Sequence, residues 1–112
     1  MLYFLSKYAN EYILNLTEIP ASFSKLLTPQ VIRETETLTM ECQFTLPNVQ
    51  VNWQKDGTLI SPDKNRILVI NNQYSHKIVI AGITVKDDGT YTCKYGTEIT
   101  ECKIIVEGKH SL

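Results

Sequence analysis

The feature that most constrains this chain is a spaced set of cysteine, tryptophan and tyrosine residues embedded in alternating apolar and polar sequence. Cys42 is followed eleven positions later by Trp53, and the second half of the chain carries Asp87-x-Gly89-x-Tyr91-x-Cys93. Alternation with a period of two is typical of a half-buried β-strand. The pattern therefore predicts β-structure with these large side chains buried inside it.

The alternation also indicates which way each side chain faces. Between residues 37 and 44, one parity is polar and the other is occupied by Leu38, Met40, Cys42 and Phe44. By the same rule Val49, Val51 and Trp53 share one face, because successive strand residues point to opposite sides. Two cysteines and an indole are therefore predicted to converge in a single core.

Turn signals divide residues 21–106 into seven or eight short strands, within a domain predicted to cover residues 20–107. Pro29 withholds an amide from a sheet ladder, so it should split the first strand into two edge pieces, the second covering residues 30–33. Turns are predicted at Asp56-Gly57, Asn71-Asn72 and Gly96-Thr97. The remaining principal strands are predicted at 37–46, 49–55, 66–70, 75–81, 90–95 and 98–107.

With Tyr91 two residues before Cys93, the Cys42, Trp53 and Cys93 spacing resembles immunoglobulin domains. The run Trp53-Gln54-Lys55-Asp56-Gly57-x-x-Ile60 resembles the intermediate set. The stretches 27–29, 36–42, 89–93 and 100–103 are similar to the tandem domains of titin and obscurin, giant proteins of striated muscle. The resemblance covers about residues 20–107 and implies an all-β, two-sheet Greek-key sandwich of the I-set.

The resemblance implies a structural role for most of the distinctive side chains. Arg66 and Asp87 match the positions of a salt bridge at the base of such sandwiches. The full structural framework that the resemblance implies consists of Cys42, Trp53, Arg66, Asp87, Gly89, Tyr91 and Cys93.

Cys102 adds a third thiol. If Gly96-Thr97 is a two-residue hairpin loop, the register places Cys102 opposite Tyr91 and facing the core. Three alternatives remain open: all cysteines stay reduced, as in a cytosolic protein; Cys42 and Cys93 form a disulfide, as in secreted relatives; or, as the titin-like resemblance implies, a redox-dependent bond exchanges partners among Cys42, Cys93 and Cys102.

The two ends of the chain lie outside the strand pattern. Residues 1–19 are predicted to be an extension or linker, and residues 108–112 a tail or linker. Apolar residues recur at helical steps in the first segment, which is compatible with a helix that has one apolar side. Lys7, Asn10 and Glu11 interrupt its apolar stretch, so neither a signal peptide nor a membrane span is expected.

Other chemistry has little support. The net charge is −1 and no basic stripe is present, so nucleic-acid binding is not expected. His76 and His110 are expected at the surface, and neither lies at metal-ligand spacing from the cysteines. No nucleophile is aligned with a base. We therefore expect no catalytic residue, no metal or cofactor, and no small-molecule substrate.

Two functions remain. The favoured one is a non-catalytic module of a titin-like or obscurin-like sarcomeric scaffold in the cytoplasm. It would bear tension and bind other proteins and neighbouring immunoglobulin domains. The alternative is an extracellular adhesion or receptor domain, for which the best evidence is the glycosylation acceptor pattern Asn15-Leu16-Thr17.

Overall fold

The computed structural model describes residues 2–4 and 17–108. Two short strands, β1 (Leu2–Phe4) and β2 (Thr17–Ile19), pair antiparallel with each other. One turn of 3₁₀ helix covers Val85–Asp87. The other strands are β3 (Phe23–Lys25), β4 (Gln30–Arg33), β5 (Leu38–Phe44), β6 (Asn52–Lys55), β7 (Thr58–Leu59), β8 (Ile67–Asn72), β9 (Ser75–Ile80), β10 (Gly89–Tyr95) and β11 (Glu98–Glu107).

The strands after β2 form two sheets. One has five strands in the order β4-β11-β10-β6-β7, and the other has four in the order β3-β5-β9-β8. Inward residues of both sheets pack against each other, as in other two-sheet sandwiches. The all-β immunoglobulin-like sandwich predicted from the sequence is confirmed.

The proline break assigns two neighbouring pieces of chain to different sheets. Before Pro29, β3 pairs antiparallel with β5 in the four-stranded sheet. After it, β4 pairs parallel with β11 in the five-stranded sheet, with Gln30 opposite Ile104 and Arg33 opposite Glu107. The predicted division into two edge strands is therefore confirmed, and the second of them becomes the neighbour of the last strand of the sandwich.

Alternation produces the core. Buried and exposed residues alternate along β5 almost throughout its length and along nearly all of β11. The described residues of the core cluster are Leu27, Leu38, Met40, Cys42, Trp53, Ile78, Ile80, Ile83, Tyr91, Cys93, Cys102, Ile104 and Val106. Burial of these apolar side chains is the main favourable contribution to folding.

Two local expectations are wrong. The turn predicted at Asn71-Asn72 lies two residues later, because both asparagines belong to β8 and Asn72 pairs with Ser75. Gln73 takes the positive φ of 53° that this turn requires. His76, expected at the surface, is an inward residue of β9 and is 0% exposed. His110 lies outside the described residues.

The helix compatible with residues 1–19 is not observed at either described part of that segment, because β1 and β2 are strands. The predicted helical stretch between them, residues 5–16, lies outside the described residues.

Candidate functional site

A polar cluster closes one end of the sandwich around Asp87. We call Arg66, Thr84, Asp87 and Tyr91 the polar base. The Arg66 guanidinium contacts the Asp87 carboxylate, and the side chains of these two residues are 34% and 12% exposed. The Thr84 backbone N–H donates to Asp87 Oδ2 at 2.7 Å, which completes a capping box on the 3₁₀ turn.

Tyr91 ties the 3₁₀ turn to the core. Its hydroxyl donates to the Asp87 carbonyl oxygen at 2.6 Å, while its ring is buried between the sheets. Burial, and next the negative charge of Asp87, raise the pKa of Tyr91 above its ordinary value, so the phenol stays protonated and remains a donor. Asp87 thus joins a residue just before β8, the turn itself and β10.

Gly89 is required by a close contact with the β6–β7 turn. A Cβ atom added there would lie 2.6 Å from Asp56 Oδ2, and the glycine has a φ of +153°. Asp56 occupies that space because its Oδ1 accepts from the Thr90 N–H at 2.9 Å. This backbone hydrogen bond, and next the ammonium of Lys55, lower the pKa of Asp56. The absence of a side chain at Gly89 therefore allows the Asp56 carboxylate to accept a hydrogen bond at the start of β10.

Cys42, Cys93 and Cys102 are free, buried thiols on β5, β10 and β11, and we call them the thiol layer. Cys102 lies opposite Tyr91, in the register expected from the hairpin, and its Sγ is 4.0 Å from Met40 Sδ. The hydrogen bond to Cys42, followed by burial, raises the pKa of the Cys93 thiol. Burial also raises the pKa of Cys102. The thiolate, which is the reactive form, is therefore disfavoured at Cys93 and Cys102.

The thiol layer separates into two levels. Cys93 lies opposite Trp53 on the neighbouring strand β6 and interacts with the buried Cys42 thiol on β5. The sulfur neighbour of Cys102 is instead Met40, two residues before Cys42 on β5. The structure thus brings Cys42, Cys93 and Trp53 together. Cys102 lies two residues further along β11 than Thr100, the residue opposite Cys93.

His76 lies next to this layer. It is opposite Cys42 in the pairing of β9 with β5, and both side chains are fully buried. Its Nδ1 is 2.7 Å from Asn71 Oδ1, so that nitrogen carries the proton and donates. Within the described residues Nε2 has no hydrogen-bond partner. Burial lowers the pKa of His76, because the imidazolium would lose its hydration.

The sequence singled out most of the side chains with distinctive contacts, but not all. Arg66 with Asp87, and Cys42 with Cys93 and Trp53, are brought together as the resemblance implies. The sequence pattern indicates only a turn at Asp56 and predicts an exposed position for His76. The alternation of β9 carried the missing signal for His76, since it shares the parity of Ile78 and Ile80.

Residues 2–4 and 17–108 lack two other kinds of feature. No three histidine, cysteine or acidic side chains there are grouped so that they could hold a metal ion. No helix in these ranges is long and apolar enough to span a membrane.

The chain is similar to titin and palladin proteins. It is 30% identical over 84 residues to titin of Drosophila melanogaster, a match that covers 75% of this chain and 0% of that protein to the nearest per cent. The palladins and the titin homolog that it also matches are covered over 10% of their length or less. The chain thus corresponds to a small part of these relatives.

Solved structures show the same fold. A tandem segment of titin superposes with a TM-score of 0.75 at 22% identity, covering 79% of this chain and 33% of that one. A complex of a titin domain with an immunoglobulin domain of obscurin-like 1 gives a TM-score of 0.71 at 16% identity, covering 82% and 98%. A family model for the immunoglobulin I-set domain matches residues 21–107. The chain therefore belongs to the immunoglobulin I-set family.

Proposed function

We propose that this chain is a non-catalytic structural and protein-binding module of a titin-like or obscurin-like sarcomeric scaffold. Its task is to bear tension along the chain and to contact neighbouring immunoglobulin domains and other proteins. The proposal draws on the similarity to titin, and on solved titin structures that contain a tandem segment and a complex with obscurin-like 1.

The observation that carries the proposal is the parallel pairing of β4 with β11. Four residues of the first strand of this sheet, Gln30–Arg33, lie beside the last four residues of the final strand. Tension at the two ends pulls β4 towards its N-terminal side and β11 towards its C-terminal side. The paired strands are therefore pulled in opposite directions along their axes, and their hydrogen bonds bear the load together rather than one after another.

Two proline substitutions in β11 test whether the pairing with β4 bears the load. Backbone groups of successive strand residues point alternately to the two edges of a strand, and the Glu107 carbonyl accepts from the Glu34 N–H beyond the end of β4. The amide of Ile105 therefore faces β4, and Ile105→Pro removes a bond from the loaded pair. We expect the unfolding force of single molecules to fall markedly.

Ile99→Pro is the matched control. Ile99 is another outward isoleucine of β11, 52% exposed against 44% for Ile105, and the same alternation turns its amide away from β10. The pairing with β4 begins only at Ile104, so no bond of the loaded pair is lost. An equal fall of force in both variants, or in neither, would contradict the tension-bearing role.

The location proposed is the cytoplasm of the muscle cell. Support comes from the three free thiols, which are typical of reducing compartments, and from the similarity to titin. The natively expressed chain should be alkylated before reduction, and its modifications should then be identified by intact-mass spectrometry and peptide mapping. Three alkylated cysteines and an unmodified Asn15 are expected. A Cys42–Cys93 bond together with a glycan on Asn15 would instead establish the extracellular alternative.

A further inference from the structure

The far end of β11 is held on both of its edges. On one edge it pairs with β4 as far as Glu107. On the other edge its pairing with β10 ends where Gly89 lies opposite Ile104, because β10 begins there. Beyond that point the Val106 N–H donates to Asp88 Oδ2 at 2.9 Å. A side-chain carboxylate thus continues the ladder where the neighbouring strand has ended.

The segment that carries Asp88 is itself fixed. The preceding residue, Asp87, is bound through its carboxylate to Arg66 and through its carbonyl to the Tyr91 hydroxyl. The Val85 N–H donates to Glu34 Oε1 at 3.4 Å, in the turn that follows β4. Since Asp88 follows directly on the polar base, the backbone that carries its carboxylate is held by contacts to three other parts of the sandwich.

We propose that the Asp88 carboxylate bears force: it secures the C-terminal end of β11 to the polar base and so shares the load carried by β4. This inference rests on the tension-bearing function proposed above. Tension that enters through the C-terminal end reaches Glu107 and Val106 before any residue paired with β10. The bond from Val106 to Asp88 therefore opposes detachment of the strand end at the point where the load arrives.

The test is the lifetime of single molecules at constant force, measured for two substitutions at this position. Asp88→Ala removes the acceptor, and hydrogen bonds to a charged group are stronger than neutral ones, so we expect unfolding to become faster by on the order of tenfold. Asp88→Asn keeps an oxygen that can accept from Val106 but removes the charge, so we expect a smaller increase. Lys86→Ala, on the same turn, should leave the lifetime unchanged.

A role in stability alone would give a different result. The same variants should be unfolded in denaturant without force, and the exchange of the Val106 amide with solvent should be followed. We expect Asp88→Ala to accelerate exchange at Val106 and to shorten the lifetime under force by a larger factor than it shortens the lifetime in denaturant. Equal factors under both conditions, or an unchanged lifetime under force, would overturn the inference.

The outcome can be separated from failure of the proposed function. If the unaltered domain resisted force no better than Ile105→Pro, the tension-bearing function itself would fail. If the unaltered domain resists and Ile105→Pro does not, but Asp88→Ala behaves like Lys86→Ala, only the role of Asp88 fails.

Discussion

The polar base and the thiol layer stabilise the same sandwich by different physical means. In the polar base, the Asp87 carboxylate binds both the Arg66 guanidinium and the Thr84 amide, each through a directional contact. In the thiol layer, Cys42, Cys93 and Cys102 are buried among apolar side chains. Packing is non-directional and proportional to buried area, whereas a charged contact depends on both partners being present. The first region should therefore be sensitive to loss of a single group, and the second to changes of volume and polarity.

The largest effect is expected from Arg66→Ala. The substitution leaves the largely buried Asp87 carboxylate without its cation, and removal of one partner of a buried pair costs several kcal/mol. Because Arg66 is about one-third exposed, we expect a loss of about 2–3 kcal/mol, with a melting temperature lower by about 10 °C. Differential scanning calorimetry would measure both quantities.

Lys25→Ala is the control for this prediction. It removes the exposed ion pair with Glu41, whose atoms are 2.9 Å apart. Exposed pairs contribute less than about 1 kcal/mol. Equal shifts of the melting temperature in the two variants would mean that Arg66 and Asp87 are no more important than a surface pair.

An intermediate, pH-dependent effect is expected from His76, which is the buried polar side chain next to the thiol layer. Because burial lowers its pKa, the folded state binds fewer protons than the unfolded state, whose ordinary pKa is 6.5. The contribution of the neutral imidazole is therefore fully present above about pH 6.5 and is lost as the pH falls towards the lower folded-state pKa. Urea unfolding at several pH values from 7.5 to 5 should show stability decreasing in this window.

The variant His76→Leu isolates that contribution. It removes the titrating group while keeping an apolar side chain in the core, and the partner Asn71 is exposed and can bind water. His110 is present in both proteins and cancels in the comparison. If the variant lost stability as steeply as the parent between pH 7.5 and 5, another group would be responsible.

The smallest effect is expected in the thiol layer itself. Cys102→Ala removes one sulfur atom that touches Met40, and we expect a loss of about 1 kcal/mol in denaturant unfolding. Cys102→Ser keeps the size but places a hydroxyl against an apolar sulfur, so it should cost more than the alanine. If serine were the better tolerated of the two, the surroundings of Cys102 would be more polar than the structure indicates.

The sequence predicted those parts of the fold that depend on local pattern. The alternation around Cys42 assigned the inward face of β5, and the glycine at position 96 set the hairpin that places Cys102 opposite Tyr91. Pro29 separated two edge strands because a proline cannot donate to a ladder. In each case the determining chemistry lies within a few residues of the feature predicted.

The errors have equally local causes. Asparagine is a common turn residue, but Asn71 and Asn72 are exposed on the edge strand β8, where polar side chains are tolerated. The strand therefore continues through Asn72, and the turn begins at Gln73. The polar character of His76 favours an exposed position, but the residue shares the parity of Ile78 and Ile80 and is buried with them. The bond from Asp88 to Val106 could not be predicted, because it joins residues 18 positions apart whose approach depends on the folded sheets.

The parallel pairing of β4 with β11 also sets an order of events in folding. Gln30 and Ile104 are more than seventy residues apart in the chain, whereas β8 with β9 and β10 with β11 are joined by tight turns. Contacts that close long loops form late, since their entropy cost precedes any gain. The resistance to stretching proposed above should therefore develop after the secondary structure and much of the core, and a refolding domain that is stretched before β4 pairs with β11 should extend at low force.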